Sequence, residues 1–134
     1  MIACVLDTDV LIATLDRSDA HHGAAARAVK RMIDEGTRLL VSPINYAEAL
    51  VRPAADARAL RGAVDAIATL GIELAVPTAS VAREAARLRN TGISLADSFA
   101  VATATSRDAG LATFDRRVRR SARAAGARLP PSMR

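Results

Sequence analysis

Four carboxylates stand where an ionised group is expensive to keep. Asp7 closes the apolar run Ile2 to Leu6, and Glu48 falls on the stripe Ile44, Ala47, Glu48, Val51 of an expected helix. Asp97 is the only charged residue between Ser94 and Ser106, and Asp115 follows the run Leu111 to Phe114. A carboxylate taken out of water must be paired or hold a metal. Each has a purely structural alternative. Asp7 and Asp115 could cap the helices that follow, Glu48 could reach out to water along its stem, and Asp97 stands three residues after Ser94, as in a capping box. Their combination points to chemistry: four such charges gathered together cannot all stay ionised without a cation, and an oxygen-only set suits Mg2+ or Mn2+. One or two such ions orient and activate water and stabilise the charge that builds on an attacked phosphate.

Around this quartet, Thr8, Asp9, Asn45 and Thr113 are the expected supporting groups. Asp9 either joins the site or caps the same turn as Asp7. Asn45, beside Tyr46, orders the surroundings, and the Thr113 hydroxyl reaches the same pocket. His21 and His22 do not make a zinc site, because adjacent helical side chains diverge by about 100° and no cysteine or third histidine completes a set. They are expected to begin a helix or to lie near bound substrate. The single cysteine, Cys4, sits in an apolar run and reads as a small buried hydrophobe.

The elements that must position these residues alternate in type. Short β-type runs are expected at Ile2 to Leu6, Arg38 to Val41, Ile72 to Val76 and Leu111 to Thr113, with a weaker one at Ala127 to Leu129. Between them lie helical patterns from Ala20 to Glu35 and from Pro43 to Leu50 or Val51. Others run from Ala54 to Leu70, from Thr78 to about Asn90, and from Leu95 to about Asp108. That rhythm predicts an α/β fold with a central, mostly parallel sheet of four or five strands and helices on both sides. In such a sheet Asp7 and Asp115 share the carboxyl-end edge, while helices starting at Pro43 and Leu95 bring in Glu48 and Asp97. The 134 residues make one domain. No apolar run is long enough to span a membrane and the first residues lack a basic leader, so a cytoplasmic protein is expected.

Lys and Arg total 19 against 14 acids; with four acids reserved for an ion, ten face those nineteen. Such a field attracts polyanions. Lys30 is the only lysine, and after Asp115 come arginines at 116, 117, 119, 120, 123, 128 and 134 with no acid. Arg116, Arg117, Arg119 and Arg120 are the candidate RNA contacts, the alternative being a solvated helix face. With aromatic residues at 2%, a base-stacking platform is not expected, and nucleic acid would be held by phosphate contacts and shape.

These residues resemble a PIN domain, and within it the VapC-type toxins of bacterial toxin–antitoxin pairs. The resemblance rests on Val5 to Ile12, on His21-His22, on Ser42-Pro43 through Glu48-Ala49, on Ile93 to Ser98 and on Thr113 to Arg116, in that order and spacing. It implies a PIN-like three-layer sandwich and a metal-dependent endoribonuclease with Asp7, Glu48, Asp97 and Asp115 as its acidic quartet. Asp7 and Asp97 would be the most direct ligands, Glu48 and Asp115 would complete the site and position water, and Thr113 would support it. It further implies cleavage of structured RNA such as transfer or ribosomal RNA, a homodimer, and silencing by a small antitoxin. Two positions depart from the family pattern: Asp9 stands where asparagine or serine is usual, and Val118 where a bulky aromatic is frequent. Two other readings compete. Val5 to Leu11 also resembles the nucleophile motif of haloacid-dehalogenase phosphohydrolases, with Asp7 as nucleophile and Asp9 as acid/base, but the downstream lysine is missing. The third is a PIN module that binds RNA or a partner without cutting.

Overall fold

In the computed structural model, which describes residues 1–133, the sheet has four strands: β1 (Ala3–Leu6), β2 (Arg38–Val41), β3 (Glu73–Leu74) and β4 (Gly110–Ala112). Arg134 of the basic tail lies outside the described residues. The order is β3-β2-β1-β4 and every pairing is parallel, with Cys4 opposite both Leu39 and Gly110. Parallel strands need crossovers, and these are supplied by α1 (Thr8–Leu15), α2 (His22–Asp34), α3 (Pro43–Leu50), α4 (Ala57–Thr69), α5 (Ala79–Arg89) and α6 (Leu95–Ser106), with α7 (Arg116–Ala124) following β4. None of these helices is long and apolar enough to cross a membrane.

Alternation along the strands divides the interior into two cores. Ala3, Val5, Leu40 and Leu111 face one side, against Val81 and Ala85 of α5, Ala100 and Ala104 of α6, and Val118 of α7. Cys4, Leu6, Leu39, Val41 and Ala112 face the other, against Val10 and Leu11 of α1, Val29 and Met32 of α2, Ala49 of α3 and Ile67 of α4. The sheet is therefore the middle of three layers, and all four residues of β1 are buried because both their faces are covered. Cys4 lies inside the second core, where burial pushes its thiol up to about 12. It stays protonated and unreactive.

Local chemistry sets the boundaries. Ser42, Asp56, Thr78 and Ser94 cap α3, α4, α5 and α6, each accepting a backbone N–H with its side-chain oxygen. Gly36, at φ 77°, ends α2 by adopting the left-handed conformation that lets Thr37 N–H reach the Met32 carbonyl. The helix expected from Ala54 begins three residues later, since Pro53–Ala55 form a separate 3-10 turn and the Asp56 side chain starts α4. Likewise α2 begins at His22 rather than Ala20, because Asp19 accepts the His21 N–H and holds a turn there.

The weak strand expected at Ala127 to Leu129 does not form. Only one backbone bond, Leu111 N–H to the Arg128 carbonyl, ties this segment to the open edge of β4, and prolines 130 and 131 cannot donate the next rungs. The segment nevertheless covers that edge so closely that a Cβ added at Gly110 would stand 3.1 Å from the Arg128 oxygen.

The contribution of the two-sided core is measurable. Leu111→Ala should cost about 2–5 kcal/mol in urea unfolding, since the side chain is fully buried. Leu74→Ala on edge strand β3, where the side chain is 49% exposed, should change stability by about 0.5 kcal/mol or less.

Candidate active site

Strand order places the reversal of the winding between β1 and β4, and open α/β sheets form their crevice outside the carboxyl ends of strands at such a point. Asp7 follows β1 there, and Thr113, Phe114 and Asp115 follow β4. The Asp7 N–H bonds to the Ala112 carbonyl at 2.9 Å, extending the β1–β4 pairing by one rung and fixing the two chain ends together.

The Asp7 carboxylate is 1% exposed. Its Oδ1 accepts the Thr8 N–H at 2.9 Å, which caps α1, and a longer contact from Asn45 Nδ2 at 3.4 Å; its Oδ2 accepts the Thr113 hydroxyl at 2.8 Å. Asn45 is fully buried and ties three helices together. Its Nδ2 donates to Thr8 Oγ1 and to the Ala96 carbonyl of α6, both at 3.0 Å, while its Oδ1 accepts from Ser42 Oγ at 2.7 Å. Ser42 thus acts beyond its role as a cap, by fixing the amide that faces Asp7. Only the N-cap role was apparent in the sequence.

Asp9 lies on the first turn of α1. Its Oδ2 accepts the Phe114 N–H at 3.0 Å, and its Oδ1 is buried without a hydrogen-bond partner. Asp97 is half-buried on the first turn of α6, its N–H bonded to the Ser94 hydroxyl. Asp115 is exposed and uses Oδ1 to cap α7, accepting from Arg117 N–H at 2.8 Å and Val118 N–H at 3.2 Å. So Asp7 and Asp115 do serve as helix caps, while the Asp97 side chain makes no bond back to Ser94 among the described residues. Phe114 also stacks on the exposed His21 ring, with centroids 4.6 Å apart, while His22 Nδ1 contacts the Ala13 carbonyl. The histidines stand at the start of α2, one as its cap and one as its first residue, and share no bonding partner.

Electrostatics connect these acids. Burial, then the charge of Asp9, then that of Asp97, push Asp7 up to about 8, against the opposing bonds from Thr113 and Thr8. Asp9 is also raised, by burial first, with smaller contributions from the charges of Asp97 and Asp115. Asp9 and Asp97 thus act on Asp7, and Asp97 and Asp115 act on Asp9. Glu48 is placed differently. The stripe Ile44, Ala47, Glu48, Val51 is not the inward face of α3; Asn45 and Ala49 are, and Glu48 is exposed. It lines a mostly apolar cleft of about 700 Å3 between α1, α3 and α4, with Ile12, Leu15, Arg52 and Ala63 among the walls. Among the described residues, no three His, Cys, Asp or Glu side chains stand as a ready-made metal site. The donor set nonetheless fits a hard divalent cation: all the groups are oxygens, one buried carboxylate oxygen lacks a partner, and the mutual repulsion is of the kind a cation relieves.

The raised Asp7 group has a thermodynamic consequence in metal-free protein. A carboxyl whose folded pKa lies above its unfolded value binds its proton more tightly when folded. Its stabilising effect is present below the ordinary carboxylate range and is lost as pH rises through about 8. In chelator, the melting temperature should fall between about pH 5 and pH 8, and Asp7→Asn should flatten that slope. An equally steep slope in the variant would remove Asp7 as its source.

The fold is shared with known proteins. No curated protein matches the sequence. Among solved structures of the same fold, VapBC-1 from nontypeable Haemophilus influenzae superposes with a TM-score of 0.73 at 15% identity, covering 98% of this chain and 99% of that one. VapC20 from Mycobacterium tuberculosis, a sarcin–ricin loop cleaving toxin, gives 0.69 at 19% identity, covering 92% and 95%. A toxin–antitoxin complex from Klebsiella pneumoniae gives 0.59 at 19%, covering 84% and 86%. The PIN domain model matches residues 4–124, from the middle of β1 to the last residue of α7 and thus through every element of the site, and the chain belongs to the PIN domain family.

Proposed function

We propose that the protein is a Mg2+- or Mn2+-dependent endoribonuclease, the toxin of a toxin–antitoxin pair, acting on structured RNA such as transfer or ribosomal RNA. The observation that carries this reading is the buried, raised Asp7 at the switch point between β1 and β4, facing the charges of Asp9 and Asp97 with a partnerless Asp9 oxygen beside it. Toxin character and RNA cleavage are supported by the likeness to VapC20 and to the Klebsiella toxin–antitoxin complex. The haloacid-dehalogenase reading loses its support: Lys30 is exposed on α2 and pairs with Asp34 at 2.6 Å.

Asp7 and Asp97 are assigned as the direct ligands, with Glu48 and Asp115 completing the set. When bound, a divalent ion supplies the positive charge that activates water and stabilises the attacked phosphate. The chain's own residues do the rest. Thr113, Thr8 and Asn45 hold the Asp7 oxygens in fixed directions, so little reorganisation is required when substrate arrives. The buried Asp9 oxygen keeps a further negative position inside the site, where the family usually has a neutral group. Arg116, Arg117, Arg119 and Arg120 begin directly after Asp115 and draw the polyanion toward carboxylates that would otherwise repel it. A small antitoxin segment lodged in the apolar cleft would reach Glu48 on its wall.

Asp97→Asn should abolish Mg2+-dependent RNA cleavage while leaving the melting temperature unchanged or raised, because one repelling charge is gone. Glu48→Gln should lower the rate less, as Glu48 is exposed and its charge is not among those that raise Asp7 and Asp9. Cleavage is followed by mapping the ends produced in total RNA after brief expression, with growth arrest as the cellular readout. Full activity of purified Asp97→Asn protein would reject the assignment, and RNA binding without any cleavage by the wild type would favour a binding module.

A further inference from the structure

Helix α7 distributes its charge unevenly. Val118 and Ala122 are buried against the first core. On another face Arg116, Arg119, Arg120 and Arg123, at i, i+3, i+4 and i+7, border an open surface depression of about 340 Å3, with no other lining residue among the described ones. Residues at this spacing are neighbours on a helix surface, so four like charges share one face. Among the described residues four basic side chains are paired, Lys30 with Asp34, Arg31 with Glu35, Arg38 with Glu73 and Arg87 with Glu84. Among the described residues none of the four α7 arginines has a carboxylate partner. Arg119 spends its Nε–H on the Thr113 carbonyl instead, at 3.0 Å.

We propose that this face is a phosphate track, on which the backbone of an RNA strand leaving the carboxylate site is held by Arg116, Arg119, Arg120 and Arg123. The proposal rests on the nuclease reading and adds to it the path of the substrate. Arg123 enters the set, and Arg117, one of the four candidates taken from the sequence, does not line the cavity. Continuity favours RNA over an acidic peptide. The helix is capped by Asp115, whose charge is felt by Asp9, and Arg119 is bonded to the residue that orients Asp7, so a phosphodiester placed at the acids borders the first arginine. From Arg116 to Arg123 the helix rises roughly 10 Å at about 1.5 Å per residue, longer than the ~3.4 Å of duplex axis that each phosphate of one strand occupies, so more than one phosphate can lie along the face. Guanidinium forks suit phosphate oxygens bidentately. No aromatic residue lies on the face, so it reads charge and spacing and leaves sequence choice to other contacts.

The test is equilibrium binding of a fluorescent transfer RNA by the full chain in chelator, measured by anisotropy over a series of salt concentrations. Arg120→Gln/Arg123→Gln is the test variant, because Arg116 adjoins the acids and Arg119 has a structural bond. Arg58→Gln/Arg61→Gln on α4 removes the same charge from exposed positions on the opposite layer. The track predicts that the test variant loses at least several-fold in affinity at low salt. Its salt slope should become shallower by about 1.4–1.8, the release expected for two phosphate contacts, while the α4 variant keeps the wild-type slope. Arg120→Lys/Arg123→Lys should recover most of the slope. Circular dichroism melts verify that each variant is folded.

Equal slopes for the α7 and α4 variants would overturn the track and leave only net charge. Displacement of the RNA by poly-glutamate as effectively as by unlabelled RNA, at matched charge, would overturn it in favour of an acidic protein partner. A separate Mg2+ cleavage assay on the wild type distinguishes the two levels. Cleavage with equal slopes sinks the track alone, RNA bound through the track without cleavage sinks the nuclease reading alone, and absence of RNA binding sinks both.

Discussion

Asp7 cannot withdraw from the position where its charge is least welcome, because its own N–H completes the β1–β4 pairing at the Ala112 carbonyl and its side chain starts α1. Both bonds are needed by the sheet and the helix, so the carboxylate is held by the fold whether or not its charge is compensated. Its surroundings supply only neutral donors: a backbone N–H, a threonine hydroxyl and an asparagine amide. Those bonds lower its pKa, but burial and the neighbouring acids raise it more. Arg119, which approaches from α7, is committed to a carbonyl rather than to a carboxylate. Charge balance must therefore come from a proton or from a cation delivered by solvent, and the architecture of the three layers keeps that demand in place.

The polar network around Asp7 also links the halves of the molecule. Ser42 and Asn45 begin α3 on one side of the sheet, whereas Ala96, whose carbonyl Asn45 reaches, begins α6, which packs on the other. Buried polar groups this well satisfied specify one arrangement of their neighbours, since any shift strands a donor or acceptor away from water. The two crossovers are thereby aligned at the end of the sheet where the acids gather, and not merely packed on its faces.

Much of this was legible from residue types and spacing. The strand at Arg38 to Val41 and the helix from Pro43 to Leu50 coincide with the expected ones, because Ser42-Pro43 is a strong local start signal. Caps at Ser94 and Thr78 were readable for the same reason. What failed involved information that is not local. Glu48 seemed to lie on a core stripe, but α3 is short and its buried face is set by the tertiary position of Asn45, a polar residue that periodicity counts as outward. The segment Ala127 to Leu129 had strand-like composition, yet whether it pairs depends on donors that the following prolines lack. The arginine face of α7 required knowing which side of the helix the core takes. Val118 and Ala122 alone mark that side, and in so charged a helix they are easily passed over.

Asp115 couples two parts of the molecule. Oδ1 closes the first turn of α7, while the same carboxylate contributes to the field felt by Asp9. A single rigid group thus belongs both to the acidic crevice and to the first turn of a cationic rod. A ligand that drew that group out of its place would strip the rod's leading turn of both bonds that close it.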